Sequence, residues 1–272
     1  MNTGTTLPRS LFVSHGAPTL ALADSPTGRF LDRLGAQLPR PRAVAVISAH
    51  YAASVPAVGA APKPETVHDF GGFPPALYAI QYPADGAPAL AEVLAGTLRE
   101  AGFPARLDPE RGIDHGVWVP LLRMYPDAGI PTIPLSVMPR ESAATHFRYG
   151  QALARALPDD VLLLGSGGSV HNLGDLDWAS AGGATGWAKA FADWLEEKLN
   201  DGDIDALLDW ERAAPNARHA HPTTEHLMPL FVALGAAGDG FRSTSLHNDF
   251  EFGSLAMQAF AFDAPRAESA ND

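Results

Sequence analysis

Apolar residues along this chain follow two rhythms. Short unbroken runs, at 11–14, 43–48, 130–137 and 161–165, have no polar face and predict strands covered on both sides. Shorter runs at 56–61 and 105–108 predict two further strands, and 241–246 and 255–262 predict two more near the end. Between these runs the apolar positions recur at helical spacing. Phe30, Leu31 and Leu34 mark a helix over 27–38, and Leu90, Val93, Leu94 and Leu98 mark the buried stripe of one over 88–101. Further helices are predicted at 116–125 with Pro120 in its first turns, and at 142–157, 184–199, 204–212 and 226–234. Pro229 lacks an N–H and suits a first helical turn, which sets the start of the last helix near Glu225 or His226.

Strands that alternate with helices predict an α/β fold: a central, mostly parallel sheet flanked by helices. No repeat, linker or shift in composition divides the chain, so residues 1–272 read as a single domain with an ordered core over about 11–262 and a polar, disordered tail.

Composition narrows the function. A net charge of −12, from 19 basic and 31 acidic residues, opposes binding to nucleic acid or to an anionic membrane surface. No apolar run approaches the ~18 residues of a membrane span, and the N-terminus lacks a basic segment followed by a long apolar one. The expectation is a soluble cytoplasmic protein. There is no Cys, so any metal must be held by His and carboxylate.

The 10 histidines carry the chemical signal. His15 ends the run "LFVSH", His50 ends "AVAVISAH", and His171 follows "VLLLGSGGSV". One such imidazole alone reads as a core or capping residue bonded to backbone. Several at the carboxyl ends of different strands read as one convergent site, because open α/β sheets bind ligands there. Glu225 and His226 adjoin, and neighbours on a helix diverge by about 100°. Only one of them can ligate easily, which leaves the other to cap the helix or support its neighbour.

His115 in "GIDHGVW" has Asp114 beside it, an arrangement that suits acid–base work or simple capping. The stretch 63–82 mixes His68, Asp69, Phe70, Phe73 and Tyr78 with Gly and Pro, and it reads as a loop over the site with Asp69 orienting His68. His146, His219 and His247 read as ordinary surface or structural residues. "GSGGS" at 165–169 is a poor dinucleotide signature, lacking the proper third Gly and a clear acidic partner, and it contains no GxSxG. Its glycines read as letting backbone approach a ligand closely.

Taken together, "SHGAP", "VISAHY", "TVHDFGGFPPALYAIQYPADGAP", "GIDHGVWVPLLRMYPDAGIPTIPLSV", "GSGGSVHNL" and "HPTTEHLMPLFVALGA" resemble the DODA-type extradiol aromatic ring-opening dioxygenases of the class III extradiol superfamily. The likeness runs from about Leu11 to Leu255. It implies metal ligation by His15, His50 and His226, with His171 as a fourth ligand or an acid–base group beside the metal. It implies that His115 contacts substrate and moves protons; the loop's own residues predict that His68 and Phe73 face the substrate, and the position of Glu225 beside His226 predicts that it supports that ligand. Elsewhere in the superfamily a Glu is the third ligand, so the choice between Glu225 and His226 stays open.

The cofactor implied is one divalent ion per chain, Fe(II) for ring cleavage or Zn as the bound metal. The partners implied are O2 and a small aromatic diol, in aromatic-compound catabolism, and an oligomer is compatible with the sequence. Two other readings remain: a zinc-dependent hydrolase on the same scaffold, and a catalytically silent metal-binding protein.

Overall fold

A computed structural model describes residues 6–180 and 183–265. The strands are β1 (Ser10–Ser14), β2 (Ala43–Ala52), β3 (Ala57–Gly59), β4 (Arg106–Asp108), β5 (Thr132–Val137), β6 (Val161–Gly167), β7 (Arg242–His247), β8 (Phe250–Glu251), β9 (Leu255–Ala256) and β10 (Ala259–Asp263). The helices are α1 (Pro26–Gln37), α2 (Pro75–Tyr78), α3 (Pro88–Glu100), α4 (His115–Met124), α5 (Ala143–Ala154), α6 (Gly186–Asp201), α7 (Ile204–Leu208), α8 (Trp210–Ala213), α9 (Ala217–Ala220) and α10 (Met228–Ala237). The expected tail falls mostly at 266–272, outside the described residues.

Eight strands form one sheet in the order β4-β3-β5-β2-β6-β1-β10-β7. Its centre, β5-β2-β6-β1, is parallel, and β10 and β7 extend it antiparallel. The centre lacks a polar face because alternate side chains enter different cores. Leu11, Val13, Val44, Val46, Leu162 and Leu164 pack with α1 and α4, whereas Phe12, Ala45, Ile47 and Leu163 pack with α3, α5, α6 and α10. No helix among the described residues is long and apolar enough to cross a membrane.

Several elements depart from the sequence expectation. Val93 leaves the stripe of α3: it is 53% exposed, and Ala91, Leu94, Ala95 and Leu98 form the buried face instead. The helix expected over 204–212 is interrupted at Asp209, where the backbone leaves helical geometry (φ −99°, ψ 24°), giving α7 and α8. The strand expected over 255–262 splits into β9 and β10, and a short helix, α2, lies inside the 63–82 loop. The last helix starts at Met228, because residues 224–227 form a turn closed by Leu227 N–H to Thr224 C=O. His226 therefore precedes α10 rather than opening it, and the Thr224 hydroxyl donates to the Pro139 carbonyl.

Candidate metal centre

Three adjacent strands end at one level. Ser14 pairs with Gly167 across β1 and β6, and Ser48 pairs with Ser166 across β2 and β6. His15 is the residue after β1. His50 lies where β2 breaks register with β5: Ser48 faces Ser136, but the next aligned partner is Ala52. Such an irregularity re-aims side chains at a strand end. His226 reaches the same point because β6 ends in glycines. A Cβ on Gly167 would sit 2.1 Å from the His226 carbonyl oxygen, so only glycine lets residues 226–229 lie directly on the strand. The Gly168 N–H then donates to the His226 carbonyl at 2.9 Å. These glycines admit the 226–229 backbone, whereas the sequence reading had them admitting a ligand.

His50 Nε2 faces the Nε2 atoms of both His15 and His226. His50 Nε2 is 3.0 Å from His15 Nε2 and 3.3 Å from His226 Nε2. Partners at Nδ1 fix the protons. The Ser166 hydroxyl spends its hydrogen on the Gly116 carbonyl, so its oxygen accepts from His15 Nδ1 at 3.0 Å. His226 Nδ1 donates to Glu225 Oε1 at 2.9 Å, and His50 Nδ1 faces Asp69 Oδ2 at 3.4 Å. With the protons of His15 and His226 held at Nδ1, their Nε2 lone pairs converge on His50 Nε2.

A divalent cation placed between these nitrogens would be ligated by their lone pairs. Two nitrogens each about 2.0–2.1 Å from one ion, at roughly 90–109°, lie about 2.8–3.4 Å apart, and both separations from His50 Nε2 fall in that range. Burial lowers the pKa of all three rings. The other imidazoles lower it further, leaving His50 at about 3 and His15 and His226 well below their ordinary value. Neutral imidazole is the ligating form.

Two further imidazoles flank the three. His115, buried at the start of α4, lies with its ring centroid 3.9 Å from that of His50. Its Nδ1 donates to Asp69 Oδ1 at 2.9 Å, and its backbone N–H donates to the same oxygen. The Asp69 carboxyl would be raised by burial, but the hydrogen bonds and charge of His115 outweigh this and hold it at about 2. His171 stacks on His226, with centroids 3.3 Å apart and planes 8° apart. Burial lowers its pKa to about 4.

The carboxylate pairings differ from those expected. Asp69 orients His115 rather than His68. Asp114 neither caps α4 through its side chain nor touches the His115 ring; it accepts from Ser48 Oγ and pairs with Arg111. His68 turns from the centre: its Nε2 bonds the Ile80 carbonyl at 3.0 Å and its ring packs against Phe70, Tyr78 and Trp118. Ser166 was not singled out from sequence at all, and its only sequence signal was its place beside the strand-end glycines. Among the other histidines, His146 is fully buried and serves structure, with Nε2 accepting from Met138 N–H at 3.1 Å and Nδ1 donating to the Ser142 carbonyl.

The five imidazoles floor a cavity of about 350 Å³. Its walls are Pro18, Phe70, Phe73, Leu173, Leu176, Trp178 and Leu255, and Phe73 leads into an adjoining cleft. A concave apolar pocket with a few convergent polar groups suits a small organic ligand.

Residues 11–257 match the family model described as the catalytic LigB subunit of aromatic ring-opening dioxygenase. The chain is 39% identical over 257 residues to 4,5-DOPA dioxygenase extradiol of Beta vulgaris, covering 93% of this chain and 96% of the relative. It is 40% identical over 255 residues to the protein of the same description in Escherichia coli (strain K12), covering 91% and 92%. The crystal structure of an uncharacterized protein from Escherichia coli K12 superposes with a TM-score of 0.77 at 34% identity, covering 92% of this chain and 98% of that one.

Proposed function

The chain belongs to the family of the catalytic LigB subunit of aromatic ring-opening dioxygenase and is an extradiol ring-cleaving enzyme; from that premise we propose that His15, His50 and His226 hold one iron(II) ion and that His115 moves the protons of a bound catechol. The observation that carries this reading is the triangle of bare Nε2 atoms beside an imidazole whose Nδ1 is held by a carboxylate.

Bound there, iron(II) supplies the electron transfer to O2 that ring cleavage needs and that zinc, which has no redox chemistry, lacks. The protein's own groups do the rest. Asp69 keeps the His115 proton on Nδ1, so Nε2 is free to take a hydroxyl proton from the diol and later to return it. The carboxylate also steadies the imidazolium formed in between. Glu225 and Ser166 hold the rings of His226 and His15 in the ligating tautomer. His171, stacked on His226, serves as a fourth ligand or as a second proton carrier. The apolar wall grips the flat ring and keeps bulk water from the reacting carbons. Phe73 belongs to that wall; His68 supports it from behind through Phe70.

The test is anaerobic reconstitution with iron(II) or zinc, followed by oxygen-uptake and product spectra across catechols. Ring cleavage requires iron(II) and consumes O2. Turnover of an ester or amide with zinc, without O2, would favour a hydrolase. Tight metal binding with no turnover would favour a silent site.

A further inference from the structure

We infer that this enzyme takes catechols bearing a neutral, apolar substituent, alkyl or aryl, in preference to amino-acid or carboxylate-bearing ones. The inference rests on the ring-cleavage reading and names the substrate class of that site.

The mouth contains no cation to receive an anionic substituent. Among the described residues lining the inner cavity, Asp69 is the one charged group besides the imidazoles, and it is engaged by His115 and His50. No Lys or Arg lines either cavity among the described residues. The charge of Arg111 is felt at His50, but that side chain is paired with Asp114 and lies over the Tyr51 ring, 4.1 Å from its centroid. A substituent carboxylate would therefore lose water without gaining a cation.

What the mouth offers is apolar surface. Phe70, Phe73, Leu173, Leu176 and Trp178 wall the inner cavity. Leu173 is 64% and Trp178 56% exposed, a large apolar display for a rim. Beyond Phe73 and Trp178 the space continues into a cleft of about 520 Å³, with Thr19, Gly71, Gly72 and Phe252 as its remaining lining. Trp178 bridges the two sides, 4.7 Å from the Phe252 centroid and 6.4 Å from that of Phe73. Gly71 lines both spaces, and a Cβ there would meet nothing within 4 Å. A ring held at the imidazoles can extend its substituent along this path between aromatic faces. Each methylene that it buries should tighten binding about threefold to fourfold.

The experiment is anaerobic titration calorimetry of the zinc-loaded protein, paired with oxygen uptake by the iron(II)-loaded protein. The probes are 4-butylcatechol, 4-phenylcatechol, L-DOPA and 3,4-dihydroxyphenylacetate. The two neutral catechols should bind at least tenfold tighter than the two carboxylate-bearing ones. Trp178→Ala should shrink that margin to about threefold, and Leu176→Arg should move the preference toward dihydroxyphenylacetate. Equal or tighter binding of L-DOPA or dihydroxyphenylacetate overturns the inference and leaves ring cleavage standing if oxygen is consumed. The expected binding order with no oxygen uptake on any probe sinks the ring-cleavage reading instead. Failure of every catechol to bind overturns both.

Discussion

Asp69 and His115 stand 46 residues apart in sequence, yet a single oxygen of the Asp69 carboxylate accepts both the backbone N–H and the Nδ1–H of His115 at 2.9 Å. One bond fixes the start of α4 and the other fixes the tautomer of its first ring. Asp69→Asn keeps the size but offers an amide that can present a donor to Nδ1 and move the ring proton to Nε2. Oxygen uptake should fall by roughly 10²-fold or more while metal content stays near wild type. His115→Phe should fall by roughly 10²–10⁴-fold under the same assay. Unchanged turnover in either variant would reduce the pair to a structural contact.

Removing a member of the nitrogen triangle should act on the metal itself. His15→Ala leaves His50 and His226 with one fewer nitrogen and opens a void in a buried site. Stoichiometric metal binding should be lost, read as metal per chain after dialysis. Retention of a full equivalent would place the ion elsewhere.

How far these residues could be read from the sequence depended on the range of the interaction. The strands of the parallel centre were legible because burial on both faces leaves unbroken apolar runs, and His15 and His50 were legible because they punctuate those runs. Asp69 was seen but assigned to the neighbouring His68, because sequence reveals adjacency and the true partner arrives through the fold. Val93 shows the same limit on a helix: its spacing fits the stripe, but no element covers that side of α3. The start of α10 was misplaced because a helix-compatible Pro229 does not exclude a preceding turn.

Gly167 should be intolerant of even one carbon. A Cβ there would lie 2.1 Å from the His226 carbonyl oxygen, so Gly167→Ala must push the 226–229 segment off β6. Overpacking of this kind costs about 1–3 kcal/mol, and the melting temperature should drop by several degrees. Metal affinity should fall with it, because His226 moves. Calorimetry with and without metal separates the two effects, and a wild-type Tm together with wild-type affinity would contradict the close approach.

Acid should destabilise the protein in part through His146, far in role from the metal. Burial lowers its pKa from 6.5 to about 4, opposed by its bond to the Ser142 carbonyl, and its Nε2 must stay bare to accept from Met138 N–H. Above 6.5 neither the folded nor the unfolded chain protonates this ring, and its contribution is intact. Between 6.5 and 4 the unfolded chain takes up a proton that the folded one refuses, so stability falls by a total on the order of 3 kcal/mol. In metal-free protein, His146→Gln should start less stable at pH 7.5 but lose less on going to pH 4.5. Parallel curves for the two proteins would assign the acid sensitivity to other groups.

The triangle of nitrogens also sets when the metal centre can come into being. His15 and His50 are 35 residues apart, but His226 meets His50 across 176 residues. A growing chain with residues 1–225 made holds at most two corners of the triangle, and even these align only after β6 has slotted between β1 and β2. Contacts of such long sequence separation form late and slowly. On the ligand set proposed above, metal uptake would report completed assembly instead of starting it, and a chain ending before His226 should hold a divalent ion more weakly than the full chain.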